Sequence, residues 1–488
     1  MNFFRSKPTQ PAKVVSDHVI PLRAWDTALA MKGTVLDATL VFQDILDVST
    51  LREGLVKLYS TGNWRQLGAR LRSDESGALE YHIPQSYDDV RPAFIFTNAQ
   101  HEVPVESCPS AAAFLKTPNN PTILPSPATL NGLSRGENAP TKLEDWIYAD
   151  HPQLFIHTAT FLDATIVTVT FPHTLTDVMG IGIFMKAWSA MVQGNLGAVP
   201  ALESFESDPL TQLGQKTPAK KYRYYDKVLN KSQLLMFVGR RLIDSFWYRQ
   251  EERRTIFLSA DSVRKLREQA LQELSDSGQH GCAEFKRFVS ESDVLLAWWG
   301  RMLYTVLSLP PSQRIMIHNA LNLRTSLHDS FSAPENVYLG NCVCMSPIFV
   351  DGQQLETESL GSIAWRNRQS VAEQQTPEQV EAITALLKET MEKSGYLALV
   401  GEPGMAMFSS SNWHRAGLYG VDFSSASPSD RMSSIGKPTY VNGVLHSHLS
   451  FRNTFAVTGR DAGGNWWLNG VLRTDAWEGV ERALKSLG

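Results

Sequence analysis

One short segment constrains the fold of this chain more than any other: a strand that ends at a proline and leads into a helix. Residues 165–171 alternate threonine with apolar side chains, and this period of two predicts a β-strand with one apolar face. Pro172 ends the strand, and His173 and Asp177 follow it four residues apart. Asp177 begins a predicted helix that extends to Gln193, because apolar side chains recur there at helical spacing. The segment therefore places a histidine just beyond the end of a rigid strand.

The rest of the chain alternates strands and helices irregularly, so the predicted class is a mixed α/β fold with two domains. Two predicted helices begin at side chains that can cap free backbone N–H groups, Ser290 with Asp293 and Thr376 before Pro377. The other predicted strands are residues 34–42, 315–323, 343–350, 451–459 and 466–472. Besides residues 177–193, the predicted helices are residues 49–59 and the two capped ones, residues 290–303 and 376–395.

Two proline-rich segments divide the chain. Seven prolines lie between residues 102 and 141, and this density predicts a long irregular segment that wraps a core. Residues 196–225 contain three more prolines, and we interpret them as a crossover linker. We therefore expect an N-terminal domain at residues 1–195 and a C-terminal domain of similar size at residues 226–488.

Composition and charge limit the classes of partner. The chain has 488 residues, of which 43% are hydrophobic and 20% charged, as is typical of a soluble globular protein. Its net charge of −4 provides no overall basic field, so we expect no nucleic-acid partner. No apolar run reaches the roughly 18 residues of a membrane span, and the N-terminus lacks the apolar core of a signal peptide. Cys108, Cys282, Cys342 and Cys344 are too few for a disulfide framework, so we expect a reduced, cytoplasmic protein.

From the residues alone, His173 has three interpretations. A histidine near a strand end is often a structural residue held by hydrogen bonds. A metal ligand would need further ligands, and the pair His446 and His448 lacks a carboxylate partner, so no metal site is expected. As a general base, an imidazole with a pKa of about 6.5 accepts and returns a proton at neutral pH. Asp177, at the helix start, would cap backbone donors and shape the turn.

The stretch His173-Thr-Leu-Thr-Asp177 resembles the HxxxD signature of the BAHD acyltransferases. Four other segments resemble elements of the same family and occur in the family's order. They are Pro21-Leu-Arg-Ala-Trp-Asp26, Ser292-Asp293-Val-Leu-Leu-Ala297, Asn322-Leu-Arg324 and Tyr338-Leu-Gly340-Asn341. The first is similar to the entry segment of fungal members such as trichothecene acetyltransferases, and the last resembles the family's YFGN loop. These matches cover nearly the whole chain, which is identified as a member of this family.

The resemblance implies two domains of the chloramphenicol-acetyltransferase-like fold, with a channel between them and His173 at its centre. An acyl-CoA, acetyl-CoA above all, would be the co-substrate of a monomeric enzyme without a permanently bound cofactor. His173 would take the proton from an acceptor hydroxyl as it attacks the thioester, and would then protonate the leaving thiolate. Asp177 would point away from the channel and pair with Arg324, and with Asp422 these residues would support the site.

One segment departs from the family pattern. After Asp422-Phe423, the family's DFGWG signature continues with glycine, tryptophan and glycine, but here Ser424-Ser425-Ala426 follow. Glycine is used where the backbone needs a positive φ or a close approach, so its loss indicates a different path of the chain. We expect an altered but ordered loop, distant from His173, that affects stability more than chemistry.

Coenzyme A carries phosphates, which require local positive charge. Helix N-termini also bind anions, so the start of the predicted helix at Ser290 is the first place to consider. The first candidate set is Lys286, Arg287, Ser290 and Ser292. The second candidate set is Lys220, Lys221 and Arg223 in the crossover.

No motif specifies the acyl acceptor. The fungal character of the resemblance favours O-acetylation of a secondary metabolite such as a terpenoid or a polyketide. Three alternatives stay open: N-acylation of an amine, a degenerate relative without turnover, and a recruited enzyme in which His173 acts on a substrate without CoA. Intact His173 and Asp177 argue against the degenerate relative.

Overall fold

The computed structural model of the chain describes residues 9–277, 287–327, 331, 333, 335–427 and 436–487. The strands are β1 (His18–Pro21), β2 (Thr34–Phe42), β3 (Arg70–Ser73), β4 (Leu79–Ile83), β5 (Ile95–Gln100), β6 (Thr122–Leu124), β7 (Phe155–Thr160), β8 (Thr165–Pro172), β9 (Glu251–Leu258), β10 (Arg314–Asn322), β11 (Val343–Asp351), β12 (Ala406–Asn412), β13 (Tyr440–Ser447), β14 (Thr454–Arg460) and β15 (Trp466–Arg473). The α-helices are α1 (Leu29–Lys32), α2 (Val48–Tyr59), α3 (Pro109–Ala112), α4 (Asn131–Ser134), α5 (Glu144–Ile147), α6 (Val178–Val192), α7 (Lys231–Trp247), α8 (Ala260–Ser277), α9 (Glu291–Val306), α10 (Gly352–Thr357), α11 (Leu360–Gln374), α12 (Pro377–Ser394) and α13 (Trp477–Lys485). The mixed α/β class predicted from the sequence is confirmed.

Two large sheets organise the fold, and each takes a strand from the other half of the chain. The first sheet has the order β13-β2-β8-β7-β5, and the second has the order β11-β10-β12-β14-β15-β9-β6. A small sheet, β1-β4-β3, flanks them. Strand β13 comes from late in the chain but pairs with β2, whereas β6 comes from early in the chain and pairs with β9. The division into residues 1–195 and 226–488 stays a prediction, and the two sheets exchange strands across it.

Strand β8 is buried on both faces, although its alternation predicts only one apolar face. Every residue from Thr165 to Pro172 is buried. The threonine face bonds to polar neighbours: Thr168 Oγ1 lies 2.9 Å from Thr39 Oγ1, and Thr170 donates to Asp37 at 2.6 Å. Burial is tolerated because these hydroxyls have partners. The strand end that carries His173 is therefore held firmly within the first sheet.

Helix α6 follows β8 and is buried along most of its length. Asp177 is its N-cap and accepts a hydrogen bond from the Gly180 backbone at 3.1 Å, as the sequence predicts. Trp188 donates from its indole to the Leu51 carbonyl at 2.9 Å, which ties α6 to α2. A Cβ on Gly180 would collide with Thr176 Oγ1 and with the Leu339 carbonyl, so only glycine lets the start of the helix approach that loop.

The two proline-rich segments are more structured than predicted. Residues 102–141 include the strand β6, which pairs with β9, and the short helices α3 and α4, so the prediction of an irregular segment is wrong there. Pro109 and Pro127 are tolerated there because each stands at the first turn of a short helix. The crossover packs against the cores, since Phe205, Leu210 and Tyr222 are buried.

Within the described residues, no helix is long and apolar enough to cross a membrane.

Candidate active site

His173 lies just beyond the end of β8, where its backbone is fixed on both sides. Its N–H donates to the Thr34 carbonyl of β2 at 3.0 Å, and its carbonyl accepts from Asn341 Nδ2 at 2.7 Å. The residue is partly exposed. Burial lowers the pKa of His173 below its ordinary 6.5, although the charge of Asp177 opposes this shift. A neutral imidazole at physiological pH is the protonation state that a general base requires.

Asp177 and Arg324 form a bidentate ion pair beside this turn. Arg324 Nη1 donates to Oδ2 at 3.0 Å and Nη2 donates to Oδ1 at 2.9 Å. The side chains of Arg324 and Asp177 are only 10% and 12% exposed. Burial alone would lower the pKa of Arg324, but the charge of Asp177, its hydrogen bond and the neighbouring Cys342 and Tyr338 together outweigh burial, so the pKa is raised. The pairing expected from the sequence is therefore present, while its supporting role in catalysis stays a prediction.

The loop at residues 338–342 is clamped against the turn that carries His173. Arg324 also donates to the carbonyls of Tyr338, Leu339 and Gly340, at 2.8, 3.1 and 2.8 Å. Asp177 Oδ2 accepts from the Cys342 N–H at 3.0 Å. Both charges are thus saturated by hydrogen bonds, which is the condition under which a buried ion pair is tolerated. We refer to Asp177, Arg324 and residues 338–342 as the clamp.

A second buried carboxylate reaches the histidine through Asn341. Asp26 Oδ1 accepts from the Asn341 backbone at 3.0 Å and from its Nδ2 at 2.8 Å, and the same Nδ2 donates to the His173 carbonyl. Burial raises the pKa of Asp26 to about 6, although Arg23 opposes this. The Arg23 guanidinium lies over the Tyr338 ring, 4.7 Å from its centroid. Asp26, Asn341 and the His173 backbone therefore form one chain of hydrogen bonds.

A cavity of about 320 Å³ lies between the two large sheets. Its polar lining includes Glu251, Arg253, His446 and Ser447. Ser447 pairs with Thr34, the residue whose carbonyl fixes His173, so the cavity wall lies two strand spacings, or about 10 Å, from the turn. Burial lowers the pKa of Arg253 to about 10. This size and this mixed lining suit a small molecule with a few polar groups.

The expectation that the pair His446 and His448 lacks a carboxylate partner is wrong for His446. Its Nε2 lies 2.6 Å from Asp37 Oδ2, and Arg135 contacts the same carboxylate. The buried Asp37 has a lowered pKa because the hydrogen bond from His446 and the charge of Arg135 outweigh the effect of burial. Within the described residues, no group of three or more His, Cys, Asp or Glu side chains could hold a metal ion.

The first candidate set for coenzyme A lies at the start of α9. Lys286 is outside the described residues, and Arg287 is exposed. Ser290 caps α9 and also accepts from Arg368 Nη2 at 2.7 Å, whereas Ser292 accepts from Asn412 Nδ2 at 2.7 Å. Arg368 was not predicted from the sequence. The backbone donors at this helix start are thus partly satisfied, and the positive charge comes from arginines around it.

The second candidate set lies beside α11 and α12. Lys220 and Lys221 are exposed, and Gln379 of α12 donates to the Lys221 carbonyl at 3.1 Å. Arg223 pairs with Glu373 of α11 at 2.6 Å, which neutralises much of its charge. Arg368 near α9 is likewise paired with a carboxylate, that of Asp293, so ion pairing does not distinguish the two sets.

Asp422 lies at the opposite end of α6 from His173. Its carbonyl accepts from Ser189 Oγ at 2.7 Å, and its carboxylate caps the backbone of Ser424 at 2.9 Å. Ser189 is 12 positions beyond Asp177, which places Asp422 about 18 Å along the helix from the turn. Its effect on the site therefore acts through α6.

The cysteines near the site are buried thiols. Burial raises the pKa of Cys344 to about 12 and raises that of Cys342 as well. A thiol with so high a pKa is a poor nucleophile. Cys282 lies outside the described residues.

Sequence reasoning did not assign roles to Arg23, Asp26, Arg253 or Arg368. Asp26 and Asn341 both lie in segments that carry the family resemblance, but their partnership spans 315 positions of the chain. A pairing across that separation leaves no local periodicity that could reveal it. Arg253 lies within a strand and Arg368 within a helix, where an arginine is an ordinary surface residue.

Comparisons with known proteins agree with this geometry. The sequence profile of a protein family described as "Transferase family" matches residues 137–476. The acetyltransferase adrJ of Penicillium rubens is 54% identical over 100% of this chain and 99% of its own length. The O-acyltransferase pboC of Aspergillus ustus is 32% identical over 93% of this chain and 96% of its own length.

The fold is also that of a solved structure. The crystal structure of F. graminearum TRI101 in complex with coenzyme A and deoxynivalenol superposes with a TM-score of 0.68, covering 96% of this chain and all of that chain at 14% identity. At this identity the match shows the fold, which agrees with the predicted two-domain architecture. The profile match over more than half of the chain and the full-length 54% identity show that this protein belongs to the BAHD family and is an acyltransferase.

Proposed function

We propose that this enzyme transfers an acetyl group from acetyl-CoA to a hydroxyl of a small secondary metabolite, such as a terpenoid or a polyketide, with His173 as the general base. The observation that carries the proposal is the fixed, partly exposed His173, whose lowered pKa keeps its imidazole neutral at physiological pH. The backbone contacts to Thr34 and Asn341 hold it in place. A base that is already positioned avoids the entropic cost of orientation during the reaction.

The reaction needs no group other than the two substrates and the histidine. His173 accepts the proton of the acceptor hydroxyl while the hydroxyl oxygen attacks the thioester carbonyl carbon. The tetrahedral intermediate collapses, the carbon–sulfur bond breaks, and the thiolate of CoA takes the proton from the imidazolium. The products are the acetyl ester and free CoA, and the histidine returns to its neutral state. A positioned base of this kind contributes about 10² to 10⁴ in rate.

The region before α9 supports coenzyme A as the donor. Arg267 and Arg368 lie 5.2 and 5.8 Å from the centroid of the Phe288 ring, which is 52% exposed. Arginines bind phosphates, and an exposed aromatic ring offers a stacking surface. Arg287 stands next to this ring in the chain. We assign the phosphates of coenzyme A to this cluster in preference to Lys220, Lys221 and Arg223.

The names of two relatives and the ligands of one solved structure support the proposed donor and acceptor. The relative adrJ is named an acetyltransferase, pboC is named an O-acyltransferase, and TRI101 was solved with coenzyme A and deoxynivalenol. We therefore favour acetyl transfer to oxygen over transfer to an amine. We further propose that the enzyme is cytoplasmic and acts as a monomer.

The test is release of free thiol from acetyl-CoA in the presence of matched acceptors. The purified protein is offered a panel of terpenoid and polyketide alcohols and the corresponding amines, with a thiol reagent as readout and mass spectrometry of the product. Thiol release that depends on an alcohol and forms an ester supports the proposal. Amide formation without ester formation would replace it with N-acylation, and turnover of a substrate without CoA would replace it with a recruited activity.

A further inference from the structure

Helix α7 presents its apolar side to solvent. Phe237 is its one buried residue, and Phe237 packs against Met316 and Met405 of the second sheet's side. Seven large apolar side chains on the same helix are between 43% and 74% exposed. They are Leu235, Met236, Val238, Leu242, Ile243, Phe246 and Trp247. Single exposed apolar residues are normal on a protein surface, but a contiguous patch marks a contact surface.

These side chains form a continuous face. Leu235, Val238, Leu242 and Phe246 follow one another at spacings of three and four, so they lie in one row along the helix. Met236, Ile243 and Trp247 lie in the adjacent row. The side that faces the protein carries Phe237 and Asp244. The helix is therefore amphipathic, but its wide apolar face points to solvent and not to the protein core.

The charges around this face are positive. Residues 231–249 contain four basic side chains, Lys231, Arg240, Arg241 and Arg249, and one acidic side chain, Asp244. Asp244 is bound to the nearly buried Arg452 at 2.7 Å, so it does not offset the cations on the surface. The chain as a whole has a net charge of −4, whereas residues 231–249 carry a net positive charge.

The end of α7 is joined to the cavity between the sheets. Arg452 contacts Asp244, the Tyr248 carbonyl and Glu251, and Glu251 lines the cavity. Phe246, Trp247 and Tyr248 therefore lie near one edge of this cavity, whose size and lining suit a small molecule. The aromatic residues with an adjacent Arg249 have the composition found at the interface between water and lipid.

We infer that α7 docks this enzyme on a membrane surface that contains anionic lipids, with its apolar face in the boundary between headgroups and acyl chains. An amphipathic helix with leucine, phenylalanine and tryptophan on one face and flanking Lys and Arg binds this boundary without spanning the bilayer. Anionic headgroups complement Lys231, Arg240 and Arg249. A second copy of this chain fits less well, because a two-fold contact through α7 brings the same cations of both copies together. Docking in this orientation turns the cavity edge toward the lipid, which suits an apolar acceptor.

The experiment is flotation of the purified full-length protein with lipid vesicles. Phosphatidylcholine vesicles are compared with vesicles that also contain phosphatidylserine, and the bound fraction is measured for wild type and for the double variant Leu242→Glu/Phe246→Glu. We expect binding that increases with phosphatidylserine and decreases about tenfold or more in the double variant, since charges replace two exposed apolar side chains that would enter the lipid. Arg240→Gln/Arg249→Gln should remove the preference for phosphatidylserine.

The matched control is Leu196→Glu, which changes a leucine of the crossover with the same 66% exposure as Leu242. It should bind vesicles like wild type, and melting curves of all variants should agree because every changed side chain is exposed. Equal flotation of wild type and the double variant, or none by either, would overturn the inference. So would a dimer in sedimentation experiments that the double variant converts to monomer, because a second copy would then cover α7. Flotation does not measure acetyl transfer. If the proposed acetyl transfer failed its own test, the inference about α7 would be unaffected.

Discussion

Two family signatures lie at the two ends of α6, the HxxxD motif at His173 and the altered DFGWG motif at Asp422. Their contacts with the rest of the chain differ. At the first end, His173 and Asp177 are joined to the second half of the chain by a buried ion pair and a series of hydrogen bonds that includes Arg324 and Asn341. At the other end, Asp422 meets α6 through its backbone carbonyl, and its carboxylate caps only a local turn at Ser424. One end is a junction that a buried ion pair between side chains holds, whereas the other meets distant segments through backbone atoms and ring packing.

This difference explains why one signature is intact and the other is altered. At the clamp, each polar atom of Asp177 has a specific partner, so a change of residue leaves a buried group unsatisfied. At the far end, Ser424–Ala426 form a short 3₁₀ turn, and the Ala426 carbonyl accepts from the Asp47 N–H at 2.6 Å. Phe423 packs on Trp188, with ring centroids 4.9 Å apart, and this contact fixes the position of the turn without the glycines of the family pattern. The altered loop is thus ordered over these residues, and residues 428–435 lie outside the described part.

The largest effect on stability is expected at the clamp. Asp177→Ala leaves Arg324 buried without its counter-charge, so the free energy of unfolding should fall by about 3–5 kcal/mol. The matched control is Asp422→Ala, which removes one cap and should cost about 0.5–2 kcal/mol. Denaturant unfolding of both variants measures the difference. If Asp177→Ala lost activity with an unchanged unfolding curve, Asp177 would act in the chemistry and the clamp would have no structural role.

Much of this junction could be predicted from the sequence, but not how its parts connect. Local patterns predicted β2, the Asp177 cap of α6 and the capping box of Ser290, because neighbours in sequence decide these features. The resemblance supplied the partnership of Asp177 with Arg324. The link from Asp26 through Asn341 and the placement of β13 beside β2 depend on contacts across hundreds of residues. No periodicity encodes such contacts.

The exposed face of α7 shows a second limit of sequence reasoning. Its apolar residues follow a helical period that would ordinarily predict a core-facing helix. The structure shows the reverse, because the orientation of a helix depends on which surface its neighbours offer. The pattern alone contains no information on that surface.

The next largest effect on the free energy of unfolding is expected at Gly180, because this residue lies within the junction. In Gly180→Ala, the new methyl group would collide with Thr176 Oγ1 and the Leu339 carbonyl, and overpacking of this kind costs about 1–3 kcal/mol. The turn of His173 should shift as well, so kcat should fall. Gly239→Ala in α7 is the control, since nothing lies within 4 Å of its added Cβ, and alanine should stabilise that helix by up to about 1 kcal/mol. Equal melting temperatures for the two variants would show that Gly180 is not closely packed.

The pH dependence of turnover should report the environment of His173. Its pKa is lowered from 6.5 by burial, and the base must be neutral, so kcat/KM should stay constant above pH 6.5 and fall as pH drops through the lowered pKa. Below that pKa, the loss should be about tenfold per pH unit. Steady-state rates at saturating acetyl-CoA give the profile. An acid limb centred above pH 7 would mean that the titrating base lies in a charge-stabilised environment, contrary to the lowered pKa of His173.

The smallest effect is expected at the altered signature. Ser424→Gly and Ala426→Gly restore the glycines of the family pattern in a turn that is already ordered, and each should change stability by less than about 1 kcal/mol. Because the turn lies at the far end of α6, the KM for acetyl-CoA and kcat should stay close to wild type. A several-fold change in the KM for acetyl-CoA would place this loop at the donor site.

The most direct test of the account is the turnover of His173→Ala beside its melting curve. Loss of a positioned general base should reduce kcat by about 10² to 10⁴, while the clamp, which uses only the backbone of His173, should stay intact. His157→Ala is the matched control, because it removes a partly buried imidazole from β7, outside the junction. We predict strongly reduced thiol release with an unchanged melting temperature for His173→Ala and near-normal turnover for His157→Ala. Near-normal turnover of His173→Ala on the true acceptor would contradict the account.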